Sequence, residues 1–437
     1  MRTIFAPMTL AGRSAVSAIR LSGPGAGEIL AALGGSLPPP RRASLRRLRD
    51  AAGETLDRAM VIWMPGPHSY TGEDAAELHL HGGRAVLEAV ADSLAAAGAA
   101  FAEPGEFSRR AFLNGRLDLL QAEAISDLVE AETAGQRRQA LRQLEGGLGL
   151  IYADWSERLA TILAHQEALI DFPDEDLPPE VEAALLGEIK ALREATGQHL
   201  ATALAGERMR EGLVFVVQGP PNAGKSTLVN ALAGREVAIV AASPGTTRDV
   251  LEVSMVIGEA PVTLIDTAGL RETSDPVEAE GVRRARVKVA DADLVLRLID
   301  PLTASASALE IQNRLAVEGA GASLVIGTKS DLAVAAGAID LAVSARTGDG
   351  MAALRERLAR IARAMTTSAG PAPLTRQRHR LLVAEAHERL SSALRETAPE
   401  LRAEDLRGAL LAFGGLTGKI GVEQLLDRIF GNFCIGK

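Results

Sequence analysis

Nine consecutive residues, Gly219-Pro220-Pro221-Asn222-Ala223-Gly224-Lys225-Ser226-Thr227, set two glycines, a lysine and two hydroxyls at the spacing G-x-x-x-x-G-K-[ST]. In that pattern backbone amides and the positive end of the following helix surround phosphate oxygens. The lysine reaches the β and γ phosphates and the hydroxyl binds Mg²⁺. Gly219 and Gly224 then serve the turns, Lys225 supplies catalytic charge and Ser226 holds the metal. The apolar run Leu213-Val214-Phe215-Val216-Val217 stands before the loop and Leu228-Val229-Asn230-Ala231-Leu232 after it, which predicts strand, loop and helix.

Further along, Thr328-Lys329-Ser330-Asp331 selects the base. A carboxylate at Asp331 can accept from both N1–H and the exocyclic amine of guanine, whereas adenine presents no such donor pair, so GTP is favoured over ATP. The stem of Lys329 can lie over the base, and Ser344-Ala345-Arg346 closes the pocket through backbone amides. Asp266, in Asp266-Thr267-Ala268-Gly269, is the acidic residue expected near Mg²⁺, with the Gly269 amide on the γ-phosphate. Thr246 and Thr247, in Gly245-Thr246-Thr247-Arg248-Asp249, offer the switch hydroxyl for the metal. Where Ras-like enzymes place a water-orienting glutamine, this sequence has Leu270. Glu278 is the nearest suitable carboxylate for that work, although an exposed helix glutamate would look the same. Arg248 and Arg271 are the candidate arginine fingers, and a cation could serve instead.

These loops require a scaffold. Alternating strands and helices from about residue 211 to 369 predict a doubly wound, mainly parallel sheet, with every motif at a strand C-terminus. Residues 1–116 mix strands (Ser14 to Ser22, Arg58 to Met64, Ala75 to His81) with a helix (Arg84 to Ala97), an α+β unit. Leu117 onward has helical period. Two long helices are expected before Asp171-Phe172-Pro173-Asp174-Glu175-Asp176-Leu177-Pro178-Pro179, then one from about Glu180 to Arg210. Helices return after the stretch Thr366 to Pro373. The segments 117–210 and 370–437 therefore read as one helical domain with the nucleotide domain inserted, two separate helical domains being the alternative.

Composition narrows the classes. The 437 residues carry 47 Lys and Arg against 56 Asp and Glu, a formal charge of −9, so a nucleic-acid partner would need a local basic surface. The run Arg41-Arg42-Ala43-Ser44-Leu45-Arg46-Arg47-Leu48-Arg49 is one candidate, and a solvated charged face is its plainer reading. One cysteine, Cys434, excludes an intramolecular disulfide framework. No apolar run is long enough to span a bilayer, and a cytoplasmic protein with no membrane partner is expected. His79 and His81 share a strand face at ligand-like spacing, but no third ligand is near in sequence.

The motifs together resemble the tRNA-modification GTPase family MnmE, also called TrmE, over essentially the whole chain. Besides the three nucleotide motifs, the resemblance rests on Thr71-Gly72-Glu73-Asp74, His81-Gly82-Gly83, Pro104-Gly105-Glu106-Phe107-Ser108, Arg110-Ala111-Phe112-Leu113-Asn114, Asp171-Phe172-Pro173-Asp174 and the terminal Phe433-Cys434-Ile435-Gly436-Lys437. It implies a multidomain fold: an N-terminal α+β folate-binding and dimerisation domain, an all-α helical domain and an inserted α/β P-loop GTPase domain. It implies that two GTPase domains of a homodimer meet across nucleotide and that K⁺ replaces an arginine finger. Asn222 would be a side-chain K⁺ ligand, with the switch loop Ala241-Ala242-Ser243-Pro244-Gly245 supplying Ala241 and Ser243, and Thr246 completing the set. Thr247 and Ser226 would bind Mg²⁺ and Glu278 would orient water.

By the same resemblance Arg20, Glu77, Arg116 and Lys437 line a tetrahydrofolate site, and Cys434 is a functional thiol. Arg116 departs from the lysine many members have, Thr328 from the usual asparagine and Ala241 from a hydroxyl residue. The implied reaction modifies C5 of the wobble uridine of certain tRNAs with a folate one-carbon unit. The flavoprotein MnmG is the partner and carries the FAD. A GTP-operated ribosome-assembly or RNA-binding switch, which would share the nucleotide site, is the competing reading; Gly415-Leu416-Thr417-Gly418 fits the GXXG of a KH loop, and a turn between helices is the better explanation of those four residues. The Cys434-Ile435-Gly436-Lys437 tail is a poor match to prenylation.

Overall fold

Two six-stranded sheets carry the residues just named. The structure, a computed structural model, describes residues 2–9, 12–171, 179–234, 252–266, 292–302, 322–333, 339–367, 372–418, 426, 429–431, 433 and 436. The chain divides into two compact units: residues 1–126, 143–189 and 388–437 in the first, 127–142 and 190–387 in the second.

In the first unit, β1 (Ile4–Pro7), β2 (Val16–Ser22), β3 (Ser44–Arg49), β4 (Thr55–Met64), β5 (Ala75–His81) and β6 (Ala100–Phe101) form a sheet of order β3-β4-β5-β2-β1-β6. Period-two alternation sends Ile19, Leu21, Val61, Leu78 and Leu80 to one face. There they pack on Ala26, Leu30 and Leu33 of α1 (Ala26–Gly34) and on Val90 and Leu94 of α2 (Arg84–Ala96). Full burial of such side chains is worth roughly 1.5–3 kcal/mol each. Ile4 and Ala6 face the other way and cover Phe107 of α3 (Glu106–Leu113). A polar cluster anchors the loops on this second side. Ser22 Oγ lies 2.7 Å from Thr71 Oγ1 and donates to Glu73 Oε2 at 3.0 Å, and Arg110 Nη1 reaches the same carboxylate oxygen at 3.0 Å.

Where two helices are expected after Leu117, three form: α4 (Leu119–Glu130), α5 (Ala134–Leu144) and α6 (Gly147–Asp171). The reason is local. Thr133 Oγ1 accepts from the Gln136 amide at 3.1 Å while Gln136 Oε1 accepts from the Thr133 and Glu132 amides, a reciprocal cap that starts a new helix. Asp118 and Gln121 make the same exchange ahead of α4. Gly146, at φ +91°, ends α5. The single helix expected from Glu180 to Arg210 is likewise two, α7 (Pro179–Leu200) and α8 (Ala203–Glu211), with the Thr202 hydroxyl donating to the His199 carbonyl at 2.7 Å between them.

In the first unit α6 packs on a later helix through Trp155 and Phe413, ring centroids 5.6 Å apart. Arg402, almost fully buried, donates to Glu182 Oε1 at 3.1 Å and to the Glu396 carbonyl at 3.0 Å. Gly415 to Thr417 continue that same helix, whose C-cap is Gly418 at φ +84°, and Leu416 is buried. The GXXG match is thus a helical last turn, unlike the exposed loop that clamps nucleotides in a KH domain.

The second unit holds β7 (Leu213–Gln218), β8 (Glu252–Ile257), β9 (Ala260–Asp266), β10 (Leu294–Ile299), β11 (Ser323–Gly327) and β12 (Leu341–Ala342), ordered β12-β11-β10-β7-β9-β8. All neighbours are parallel except β8 with β9. The apolar strands, with α9 (Lys225–Ala233) and α10 (Met351–Thr366), bury Phe215, Leu264, Leu296, Leu228 and Leu354 in one core. The order reverses at β7, which opens a crevice beyond its C-terminus, the position at which doubly wound sheets bind ligands.

One buried histidine pair makes stability depend on pH. Burial, with a smaller contribution from the neighbouring His379, pushes the His199 imidazole down to about 4 from its ordinary 6.5. Both states are neutral above pH 6.5; between pH 6.5 and 4 only the unfolded chain takes the proton, so stability falls with pH through that window. The loss approaches roughly 3 kcal/mol at its acid end. Urea midpoints taken from pH 7.5 to 4.5 should fall less steeply for His199→Gln than for the unsubstituted protein. Parallel slopes would exclude this histidine as the source.

Candidate functional site

Each part of the nucleotide site follows from where a strand of the second sheet stops. β7 runs between β10 and β9 and ends at Gln218, so the loop from Gly219 emerges at the crevice. Gly219 packs so tightly that an added Cβ would lie 2.9 Å from the Leu298 carbonyl oxygen. Asn222 and Gly224 take left-handed backbone angles, φ +63° and +85°, which curl the loop back into α9. Asn222 is exposed and Ala223 buried, which sets Asn222 at the tip.

Lys225, buried, donates from Nζ to the Gly219 and Pro220 carbonyls, each at 3.0 Å. Its ammonium therefore already sits inside the curl of the loop. Ser226 Oγ donates to Asp266 Oδ2 at 2.7 Å, and Asp266, 1% exposed, ends β9 opposite Val217 of β7. A hydroxyl and a carboxylate brought together by adjacent strand ends form a hard-oxygen pair of the kind Mg²⁺ takes. Thr227 is exposed one residue further on.

The base-recognition loop leaves β11. Thr328 donates from Oγ1 to the Ile299 carbonyl at 3.2 Å, and its amide bonds the same oxygen at 2.9 Å. The hydroxyl thus supplies a bracing bond from the position where the family pattern has asparagine. Lys329, at φ +53°, pairs through Nζ with Asp300 Oδ2 at 2.7 Å. Burial pushes the Asp300 carboxyl up, and hydrogen bonds from Lys329 and the Leu302 amide, with the ammonium charge, outweigh it and hold the group below its ordinary range. Asp300 was absent from the sequence-derived site; an acidic residue at the end of a strand next to β11 was the signal. The Ser330 amide bonds the Val343 carbonyl at 3.1 Å, and Ser344, buried, accepts from the Thr347 amide at 3.1 Å. Asp331 Oδ2 stands 3.9 Å from Nε of Arg346, whose side chain is 83% exposed, and Ala345 is half-buried.

In the first unit, strand register sets Arg20 of β2 opposite Glu77 of β5, with Arg20 Nη2 2.9 Å from Glu77 Oε1. The Arg20 guanidinium lies 4.7 Å from the Tyr70 ring centroid, and Tyr70 Oη is 2.7 Å from Ser108 Oγ. His79 Nε2 is 3.5 Å from Glu77 Oε2, while His81 Nδ1 pairs with Asp57 at 2.7 Å, so the two histidines take separate carboxylates. Arg116 is exposed, its Cγ 3.1 Å from where a Cβ on Gly72 would sit. It thus sits by the turn that holds Thr71 and Glu73.

Two family models match the chain, one described as the GTP-binding protein TrmE N-terminus over residues 3–116 and one as the MnmE helical domain over residues 119–434. The chain belongs to the MnmE family. A relative named tRNA modification GTPase MnmE from Gluconacetobacter diazotrophicus is 56% identical across 99% of this chain and 98% of its own. Relatives of the same name from Granulibacter bethesdensis and Rhodospirillum rubrum are 52% and 51% identical, each across 100% of this chain and 99% of theirs.

Of the candidate site residues, Ala241, Ala242, Ser243, Pro244, Gly245, Thr246, Thr247, Arg248, Thr267, Ala268, Gly269, Arg271, Glu278, Cys434 and Lys437 lie outside the described residues. The described neighbours of the last two are fixed. Phe433 packs on Phe430 with ring centroids 5.3 Å apart, and Gly436 comes so close to the end of β1 that a Cβ there would lie 2.2 Å from the Pro7 carbonyl oxygen. Among the described residues, no helix is long and apolar enough to cross a membrane.

Proposed function

We propose that this MnmE-family chain is a GTPase that acts in tRNA modification, installing with MnmG an aminomethyl or carboxymethylaminomethyl group at C5 of wobble uridine. What carries the reading is a phosphate loop with Lys225 and Ser226 in place, in a chain related along its whole length to proteins named for that activity. Four segments divide the work: 1–116 binds folate and dimerises, 117–210 and 370–437 form the helical domain, and 211–369 hydrolyses GTP.

Amides of residues 222 to 227 cradle the phosphates, Lys225 offsets charge on the β and γ groups, and Asp331 reads guanine. Ser226 and Thr247 would hold Mg²⁺, with Asp266 beside it, and the ion would neutralise phosphate charge when bound. Glu278 orients the water that attacks the γ-phosphorus as the bond to the bridging oxygen breaks, giving GDP and phosphate. Asn222, with Ala241, Ser243 and Thr246, holds K⁺ in place of an arginine finger. Arg20 and Glu77 match a pterin-like edge, a guanidinium beside a carboxylate that can address both its acceptor and its donors. Arg116 and Lys437 extend that site, and a tetrahydrofolate derivative supplies the one-carbon unit when bound. Cys434 acts in the uridine chemistry on the tail that Phe433 and Gly436 bracket.

Nucleoside analysis of tRNA tests this reading. A strain lacking the protein should lose the C5-modified uridine, regain it with the intact gene, and remain without it when complemented by Glu278→Ala or Cys434→Ser. The purified protein should hydrolyse GTP faster in K⁺ than in Na⁺. Normal uridine modification in the deletion strain would overturn the reading, and equal rates in the two salts would remove K⁺ from it.

A further inference from the structure

The basic run Arg41 to Arg49 has no part in the nucleotide or folate chemistry above. Its residues Ser44–Arg49 form β3, the edge strand of the first sheet, paired antiparallel with β4. Alternation buries Leu48 completely and leaves Leu45, Arg47 and Arg49 on the opposite face. On β4 the exposed Arg58 and Met60 belong to that same face: Arg47 stands directly opposite Arg58, and Leu45 opposite Met60. Like charges directly opposed on a ladder are destabilising. Among the described residues neither guanidinium has a carboxylate partner, and Arg49 donates to the Gly53 carbonyl at 2.6 Å.

A face so built is adapted to an anion that approaches from outside. The chain's formal charge is −9, so its overall field repels a phosphodiester backbone, and contact needs a local concentration of cations of this kind. Leu45, 64% exposed, and Met60, 47% exposed, offer apolar contact beside the arginines for sugar faces.

We propose that the outer face of the β3–β4 hairpin docks the ribose-phosphate backbone of tRNA, with Arg47 and Arg58 contacting neighbouring phosphates. The proposal rests on the tRNA-modifying reading above. The test is equilibrium filter binding of the full-length protein to an in vitro transcribed tRNA with uridine at the wobble position, from about 50 to 200 mM salt. The double variant Arg47→Gln/Arg58→Gln should bind about tenfold more weakly. Its plot of log K against log salt should be shallower by about 1.5, as expected for two lost phosphate contacts. Arg47→Lys/Arg58→Lys should keep the slope, and all forms should hydrolyse GTP equally and melt no lower than the unsubstituted protein. Unchanged tRNA affinity and slope would overturn the proposal, as would weaker binding that tracks a loss of self-association by light scattering. Failure of the unsubstituted protein to bind tRNA at any salt would instead overturn the tRNA reading, and this surface with it.

Discussion

Asp331→Asn should exchange guanine for xanthine as the preferred base, lowering affinity for GTP by about a thousandfold and creating hydrolysis of XTP. The carboxylate accepts from both guanine donors; an asparagine amide sets N–H₂ against the guanine amine, so one bond is lost and a donor faces a donor. Xanthine carries a carbonyl where guanine has that amine, which restores a complementary pair. Sites built to bond a particular donor reject an analogue without it by factors of this order. The substitution keeps side-chain volume, and it orphans no buried cation, because the nearest one, Arg346, is 83% exposed at 3.9 Å. Rates measured with GTP and XTP over a range of concentrations separate the outcomes. Unaltered GTP affinity with no XTP activity would remove Asp331 from base recognition, and loss of both activities would point to damage beyond the base pocket.

The parts of the site legible from sequence are those whose geometry is set within a few residues. Gly224 needs φ +85° and Lys225 follows at the helix start, so strand, loop and helix could be read from the order of residue types. Asp331 was legible because its chemistry is that of one side chain. Asp300 was not, since its partner Lys329 lies 29 residues away and only the pairing of β10 with β11 brings them together. Arg20 and Glu77, 57 residues apart, became a pair only through the β2–β5 register. Family resemblance had joined them in name, without a physical reason for their contact.

Helix boundaries tell a similar story. The apolar period through Leu120, Ala124 and Leu128 was real, but period alone cannot show where a helix restarts. The stops lay in polar residues: Thr133 with Gln136, and Asp118 with Gln121, each the T/D-x-x-Q spacing of a reciprocal cap, and Gly146 with its positive φ. The strand expected to end in Ser344-Ala345-Arg346 shrinks to Leu341–Ala342, since only Ile326 and Gly327 of β11 are opposite it. Beyond those two residues the chain turns, and the Ser344 amide bonds the Asp349 carbonyl at 2.9 Å.

Lys225→Met should abolish detectable GTP hydrolysis and weaken GTP binding by roughly a thousandfold, with the fold intact. An ammonium about 4 Å from a phosphate charge contributes about 4 kcal/mol at the effective dielectric of a partly exposed site, and this one faces more than one charged oxygen. Against that stands the cost of taking Nζ from the Gly219 and Pro220 carbonyls, hydrogen bonds worth about 1 kcal/mol each, which must be released or shared when nucleotide enters. The Coulomb term is the larger, so the lysine is a net gain for binding. Methionine fills the buried channel of the stem without the charge, so the core around Leu228 and Val229 should survive and the melting temperature should change little. Calorimetric titration with a non-hydrolysable GTP analogue, beside a thermal melt, decides the matter: near-normal affinity in a folded Lys225→Met protein would mean that the loop amides and helix end suffice, and that the ammonium serves to hold the empty loop in shape.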